Sequence, residues 1–317
     1  MNHEAIQIND YSWGYRAARV LHVANKLDLF SVLSGKELSL KELCTECKTK
    51  PELTDKLLIA CAAMGLINKE GNLYKNSKAA EIYLVKGKKY YQGNIIAHSS
   101  WVRKFWEDLE DQISIEPLPD EGQSEHRDFI MGMDNIASIG RADMFVNNID
   151  LNGRKKLLDI GGGPGSYSIA ACKRFPKLKA VVYDLQETLE IAKEVIAREG
   201  LQERVSVKEG NWDTDSFGEG FDVILFSNVL HGKDSKANMK LMKAYSAMAN
   251  NGLLVIQEFL LNDEKSGPLI PALFNIMVGA YSQRELLEEI EKAGFIQGKV
   301  ITASEEIGCG WIIAEKQ

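Results

Sequence analysis

No stretch of the 317-residue sequence runs apolar for the ~18 residues that a membrane-spanning helix requires, so no membrane span is expected. The opening residues, MNHEAIQIND, carry neither a basic n-region nor an apolar h-region, which argues against a secretory signal. Cations are outnumbered, 38 Lys and Arg against 45 Asp and Glu, and a net charge of −7 speaks against a general nucleic-acid binder. Cysteine is sparse and odd in number: Cys44, Cys47, Cys61, Cys172 and Cys309 sit in apolar or helical contexts. That usage suits reduced thiols in a cytoplasm rather than a disulfide framework. Cys44-x-x-Cys47 has no second C-x-x-C and no paired His beside it, so zinc or redox chemistry is not expected there. Two nucleotide-binding signatures are also missing. The dinucleotide fingerprint G-x-G-x-x-G fails in both registers, because its last position is Ser166 counted from Gly161 and Ser168 counted from Gly163. A phosphate loop needs a Lys followed by Ser or Thr after its glycines, and none follows.

What the sequence does contain is centred on Lys156-Leu-Leu-Asp-Ile-Gly-Gly-Gly-Pro-Gly-Ser166. Leu157, Leu158 and Ile160 read as a short buried parallel strand. Gly161, Gly162, Gly163 and Gly165 follow at once, and an apolar helix is expected from about Ser166 to Phe175. Glycines let a backbone approach a ligand closely, and the helix behind them offers free N–H groups. A ligand without phosphate, S-adenosylmethionine (SAM), suits such a turn; a tight strand–helix turn with no ligand is the alternative. The next apolar stretch, Ala180-Val-Val-Tyr-Asp184, ends in an acid 25 residues after Asp159. A carboxylate at the C-terminal end of a second strand can accept both ribose hydroxyls of an adenosine. A helix-capping Asp would look the same in isolation.

With 45% hydrophobic and 26% charged residues, a chain of this length suits two domains or one large one. Ala17, Val20, Leu21, Ala24, Leu27 and Leu29 keep helical spacing and predict one helix over 11–33. Ser39 caps a short helix, Leu40 to Cys47, and Pro51 opens another that runs to Met64 and is closed by Gly65. Leu66-Ile67 and Leu73-Tyr74, across Glu70-Gly71-Asn72, make a small hairpin. Helices followed by such a wing read as a winged helix, a module used for DNA binding or for dimerisation. The Pro51–Met64 helix carries Glu52, Asp55 and Lys56 but no Arg, and phosphate contact needs cations, so dimerisation is favoured. Lys86, Lys88 and Lys89 read as a solvated turn. Residues 94–150 are expected to be mostly helical, interrupted by a loop from Ile115 to Gly122, with Trp101, Phe105 and Trp106 in the core and Phe129, Met133 and Ile136 on one face. From 155 onward, strands near 157–160, 180–183, 205–208, 222–226, 253–258, 296–301 and 310–314 alternate with helices, which implies a parallel sheet. A hairpin turn over Ser304 to Gly308 makes the last pair antiparallel, and ligands belong at the C-terminal strand ends.

The segments LLDIGGGPG, VVYDL, EGNW, FDVILFSNVLHG and GLLVIQE, in this order, resemble the class I SAM-dependent methyltransferases. More narrowly they are similar to the metal-independent small-molecule O-methyltransferases of the caffeic acid and acetylserotonin O-methyltransferase type, which have bacterial members acting on polyketides and pigments. The resemblance covers nearly the whole chain. It implies an α/β fold: a Rossmann-like seven-strand methyltransferase domain preceded by an α-helical winged-helix dimerisation domain. The expected division is 1–98 for dimerisation and 99–317 for methyl transfer, with 99–152 a helical bridge lining the acceptor pocket and 153–317 the Rossmann-like core. It further implies a homodimer joined through the N-terminal domain, whose first helix brings Tyr11 or Trp13 to the neighbour's acceptor.

For the site, the resemblance implies SAM held by Gly161, Gly163, Asp184, Leu185, Asn211, Trp212 and Ser227, and an aromatic acceptor against Phe129, Met133, Ile136 and Met277. His231 stands where the acceptor meets the methyl group. A phenol, with a pKa of ~10, needs a base at neutral pH, and His is suited to that role. Glu258 ends the fifth strand and should stand near His231, orienting it as a triad acid does. No metal is expected, because Asp213, Asp215 and Glu219 are too scattered to form a Mg²⁺ cluster. Several positions depart from the family. Gly232-Lys233 replaces Asp-Trp after the His, Ala280 replaces a second acid, Asn211 replaces an Asp at the adenine contact, and Ser227 replaces a Lys. Two other functions therefore stay open: a SAM-binding protein that methylates carbon or nitrogen or acts as a hydroxylase or decarboxylase, and a winged-helix transcriptional regulator.

Overall fold

The computed structural model describes residues 3–116, 125–231, 236–304 and 308–317. They form two compact units, one of Ile8–Gly122 with Leu261–Met277, the other of Met1–Gln7, Gln123–Leu260 and Val278–Gln317. Among the described residues no helix is long and apolar enough to cross a membrane.

The first unit packs helices Tyr15–Lys26, Leu40–Cys47, Pro51–Ala63 and Leu269–Met277 with a three-stranded antiparallel sheet in the order Leu38–Ser39, Leu73–Asn76, Ile67–Glu70. Ser39 and Glu42 form a capping box: the Ser39 N–H donates to Glu42 Oε2 at 2.8 Å, and the Glu42 N–H donates to Ser39 Oγ at 3.4 Å. Val20, Ala24, Leu29, Phe30, Leu58, Cys61 and Ile67 make its core. The helix expected over 11–33 is instead broken into His3–Trp13, Tyr15–Lys26 and Leu29–Val32. Asp28 at φ 57° lies in the left-handed region and cannot continue a right-handed helix. A second expectation also fails. Trp101, Phe105 and Trp106, read as core, are 79%, 53% and 66% exposed. Helix Gly93–Glu107 buries Gly93 alone; periodicity marked its apolar face correctly but could not say whether this chain covers it. Most of the expected 115–122 loop lies outside the described residues.

The second unit is built on seven strands: β1 Lys156–Ile160, β2 Lys179–Asp184, β3 Val205–Glu209, β4 Phe221–Ser227, β5 Met248–Glu258, β6 Ile296–Ser304 and β7 Cys309–Glu315. Their spatial order is β6-β7-β5-β4-β1-β2-β3. β7 runs antiparallel to both neighbours, and the other pairs are parallel. Side chains alternate between two cores, as a two-residue period with both faces covered requires. Leu157, Val223, Leu225 and Val255 face helices Ser166–Arg174 and Gln186–Arg198 through Ile169, Ala192 and Val195. Leu158, Ile160, Ile224, Phe226 and Ile256 face helices Ala237–Ala247 and Gln283–Lys292 through Leu241, Leu286 and Ile290. The hairpin turn expected over 304–308 lies mainly at 305–307, outside the described residues. β1 pairs with β2 on one side and β4 on the other, so the chain direction across the sheet reverses there. Such a switch point opens a crevice beyond the carboxyl ends of the strands.

Candidate active site

The glycine turn fills that crevice's floor. Gly161, Gly163 and Gly165 have φ of 64°, 54° and 81°, a region that side chains disfavour. A Cβ on Gly161 would stand 2.6 Å from Trp212 Cζ3 and 2.9 Å from Val229 Cγ2, whereas one on Gly163 would meet nothing within 4 Å. The two glycines thus do different things: one lets Trp212 close onto the backbone, the other leaves open space. That space belongs to a cavity of about 240 Å³ whose wall includes Gly161, Gly163, Asp184, Leu185, Trp212 and Ser227. Phe129, Met133 and Ile136, from helix Glu125–Ile136, line it as well.

Asp184 is fixed by the turn itself. Its Oδ2 accepts from the Gly163 N–H at 2.9 Å and its Oδ1 from the Leu185 N–H at 2.8 Å. Burial raises its pKa, against those two backbone donors, the Thr188 hydroxyl and the nearby His126. A carboxylate has about four lone-pair sites, so acceptor capacity remains for a ligand. Asp159, behind the turn, is fully buried and takes a 2.7 Å hydrogen bond from Ser168 Oγ. Burial, reinforced by the Asp184 charge, pushes its pKa up to about 7.

The exit of β4 is stitched to the end of β5. Ser227 Oγ donates to Gln257 Oε1 at 2.6 Å, the Asn228 N–H to Gln257 O at 2.9 Å, and the Leu230 N–H to Glu258 Oε1 at 2.7 Å. Glu258 is 1% exposed, and its Oε2 accepts from the Phe259 N–H at 3.2 Å. These ties bring His231 Nδ1 to 3.5 Å from Glu258 Oε2. Phe259 lies beside the imidazole, ring centroids 6.3 Å apart.

Not every expected residue is gathered at the cavity. Asn211 does not line it; its Oδ1 accepts from the Asp213 N–H at 2.8 Å, an Asx turn that folds its own loop. His231 and Glu258 stand at the strand ends and are not part of its wall. Met277 belongs to the other unit, where it is 65% exposed and lines a separate apolar cavity with Leu53, Leu273 and Phe274. Gly232 and Lys233 lie outside the described residues. Among the wall residues that were not anticipated are His126, Arg141, Tyr167 and Thr188. Arg141 is 4% exposed and sits where a π-type turn, Ala137–Arg141, breaks at Gly140 with φ 137°. Helical periodicity gives no warning of a buried Arg placed by such a break. Burial pushes the Tyr167 phenol up to about 12, with Arg141 acting in the opposite sense, so its hydroxyl stays a donor. Among the described residues no cluster of three or more His, Cys, Asp or Glu is arranged to hold a metal ion.

A parallel sheet with an antiparallel β7, a glycine turn at its switch point and an acid ending β2 together define a methyltransferase-type nucleoside-binding domain. Residues 117–296 match the model of the O-methyltransferase domain, and residues 9–86 match that of the O-methyltransferase dimerisation domain. The chain belongs to this O-methyltransferase family and is a SAM-dependent methyltransferase. It is 28% identical over 291 residues to 3-hydroxy-5-methyl-1-naphthoate 3-O-methyltransferase of Streptomyces sahachiroi, covering 87% of this chain and 84% of that one. It is 27% identical to L-tyrosine C(3)-methyltransferase of Streptomyces lavendulae, covering 89% and 84%. Among solved structures, an O-methyltransferase family 2 protein from Planctomyces limnophilus in complex with apigenin superposes with a TM-score of 0.81 at 26% identity, covering 98% of this chain and 96% of that chain.

Proposed function

We propose that this protein transfers a methyl group from SAM to a hydroxyl of an aromatic or polyketide-like small molecule, with His231 as general base and without a metal. The observation that carries the reading is the Glu258–His231 contact at the mouth of β4, beside a cavity with one acceptor carboxylate. Asp184 accepts the ribose hydroxyls, Gly161 and Gly163 allow close backbone approach, and Leu185 and Trp212 flank the adenine. Asn211 serves the cofactor through the loop it folds, and Ser227 offers a hydroxyl whose oxygen can still accept. Arg141, a cation in the cavity wall, suits the carboxylate of the methionine portion. When bound, SAM supplies an activated methyl on its sulfonium. His231 Nδ1 makes no hydrogen bond in this structure; closing its 3.5 Å gap to Glu258 Oε2 would keep the proton on Nδ1 and leave Nε2 to take the hydroxyl proton of the acceptor. Phe129, Met133 and Ile136 supply apolar contact for an aromatic ring.

The division that goes with this chemistry is 1–98 for dimerisation and 99–317 for methyl transfer. A homodimer is supported by the matched dimerisation domain and by the exposed Trp101, Phe105 and Trp106, a concentration of aromatic surface rare on a monomer. A cytoplasmic setting is supported by five cysteines, all unpaired. A second reading, methylation at carbon, has the tyrosine C-methyltransferase relative in its favour; the position of the methyl in the product separates the two. The test is a pair of substitutions assayed against a panel of phenols. His231→Ala should cut turnover by roughly 10²–10⁴ and leave SAM affinity intact. Asp184→Ala should weaken SAM by about 10²-fold, the loss of charge-assisted hydrogen bonds. Wild-type turnover in His231→Ala sinks the assignment of the base.

A further inference from the structure

The loop between β3 and β4 carries Trp212, whose ring must lie against Gly161 for the cavity wall to exist. Internal hydrogen bonds fold that loop: Asn211 N–H to Asp215 Oδ2 at 2.8 Å, and Asp213 N–H to Asn211 Oδ1 at 2.8 Å. Those bonds do not use the carbonyls of Trp212, Asp213 and Asp215. One side chain collects all three. Lys243 Nζ donates to Trp212 O at 3.0 Å, to Asp213 O at 2.8 Å and to Asp215 O at 3.1 Å. An ammonium has three donors, and here three loop carbonyls take them. One helical turn earlier, Lys240, 4% exposed, places its Nζ 4.7 Å from the centroid of the Trp212 ring. Both lysines stand on helix Ala237–Ala247, which starts six residues after His231. Burial lowers the Lys240 pKa, while the charges of Asp213 and Glu258 hold its proton.

We propose that Lys243, supported by Lys240, is the positioning residue that holds Trp212 in the cofactor cavity. Lys243 fixes the loop backbone, Lys240 braces the ring from one side, and Gly161 receives the ring edge. The inference rests on the reading that Trp212 contacts the cofactor, and it goes beyond that reading by naming what makes the contact possible. Lys243 is not part of the cavity wall; it acts through the loop.

The test uses the full-length protein and S-adenosylhomocysteine, the demethylated cofactor, so no acceptor need be known. Lys243→Met should weaken binding roughly tenfold, because charge-assisted hydrogen bonds to three carbonyls are lost. It should also abolish the Trp212 part of the ligand-induced fluorescence change, defined as the difference between wild type and Trp212→Phe. Lys243→Arg, which keeps a donating cation, should recover most of the affinity and the signal. Trp212→Ala separates the two layers. If it leaves affinity at the wild-type value, the cofactor role of Trp212 falls, and this inference with it. If Trp212→Ala weakens binding and Lys243→Met does not, the positioning role alone is overturned. Should Lys243→Met fail to fold, Lys240→Met decides: weakened binding with a diminished Trp212 signal supports the proposal, and wild-type affinity with an unchanged Trp212 signal overturns it.

Discussion

Gly161 and Gly163 stand two residues apart in one turn, and the structure separates what each is for. Both have positive φ, so either substitution by Ala incurs the left-handed penalty of ~1–2 kcal/mol. Only Gly161→Ala adds overlap, with Trp212 Cζ3 at 2.6 Å and Val229 Cγ2 at 2.9 Å from the new methyl. Overpacking of that kind costs ~1–3 kcal/mol more. Gly163→Ala should therefore lower the melting temperature by only a few degrees, at roughly 2–4 °C per kcal/mol, and Gly161→Ala by about twice as much. Binding should behave differently. The Gly163 methyl would project into the cavity space that a ligand needs, so S-adenosylhomocysteine should bind roughly tenfold or more weakly, a loss of at least ~1.4 kcal/mol. Thermal melts and calorimetric titration of the two variants side by side test this. Unchanged affinity in Gly163→Ala, or a larger melting loss there than in Gly161→Ala, would refute the division of labour.

Other expectations follow from single groups. Asp159 has a folded-state pKa raised from 3.8 to about 7, equivalent to roughly 4 kcal/mol at full effect. Because the folded state binds this proton more tightly, the contribution is complete below pH 3.8 and is lost as pH rises through about 7. Asp159→Asn should therefore raise the melting temperature at pH 8 more than at pH 5; a pH-independent difference contradicts the assignment. Trp101→Ser with Phe105→Ser should shift light scattering toward the monomer at micromolar concentration, and an unchanged dimer would show that this face is not the interface.

The sheet was legible because its signals are local. β1, β2, β4 and β7 are mainly apolar runs, and all seven strands overlap their expected places, β5 starting five residues early at Met248. The Asp184 and Glu258 positions followed from strand ends, which a parallel sheet brings to one edge. What was not legible depends on partners far apart in sequence or on backbone detail. Trp101 and Phe105 form a proper apolar stripe, yet a stripe does not name its cover. Asp28 broke a helix by its left-handed backbone, and Arg141 entered the cavity wall through a π-type turn at Gly140. Asn211 was read by its chemistry alone, but its oxygen is used within its own loop.

The most direct measurement is the position of the transferred methyl group. Incubation of the protein with SAM carrying an isotopically labelled methyl, a panel of phenolic and hydroxynaphthoate compounds, and EDTA, followed by mass-spectrometric fragmentation, reads out donor, acceptor atom and metal dependence together. The expected result is a labelled methyl ether, formed equally with and without chelator and strongly diminished in His231→Ala. Label on carbon or nitrogen, or a reaction abolished by EDTA, would contradict hydroxyl methylation by a histidine base.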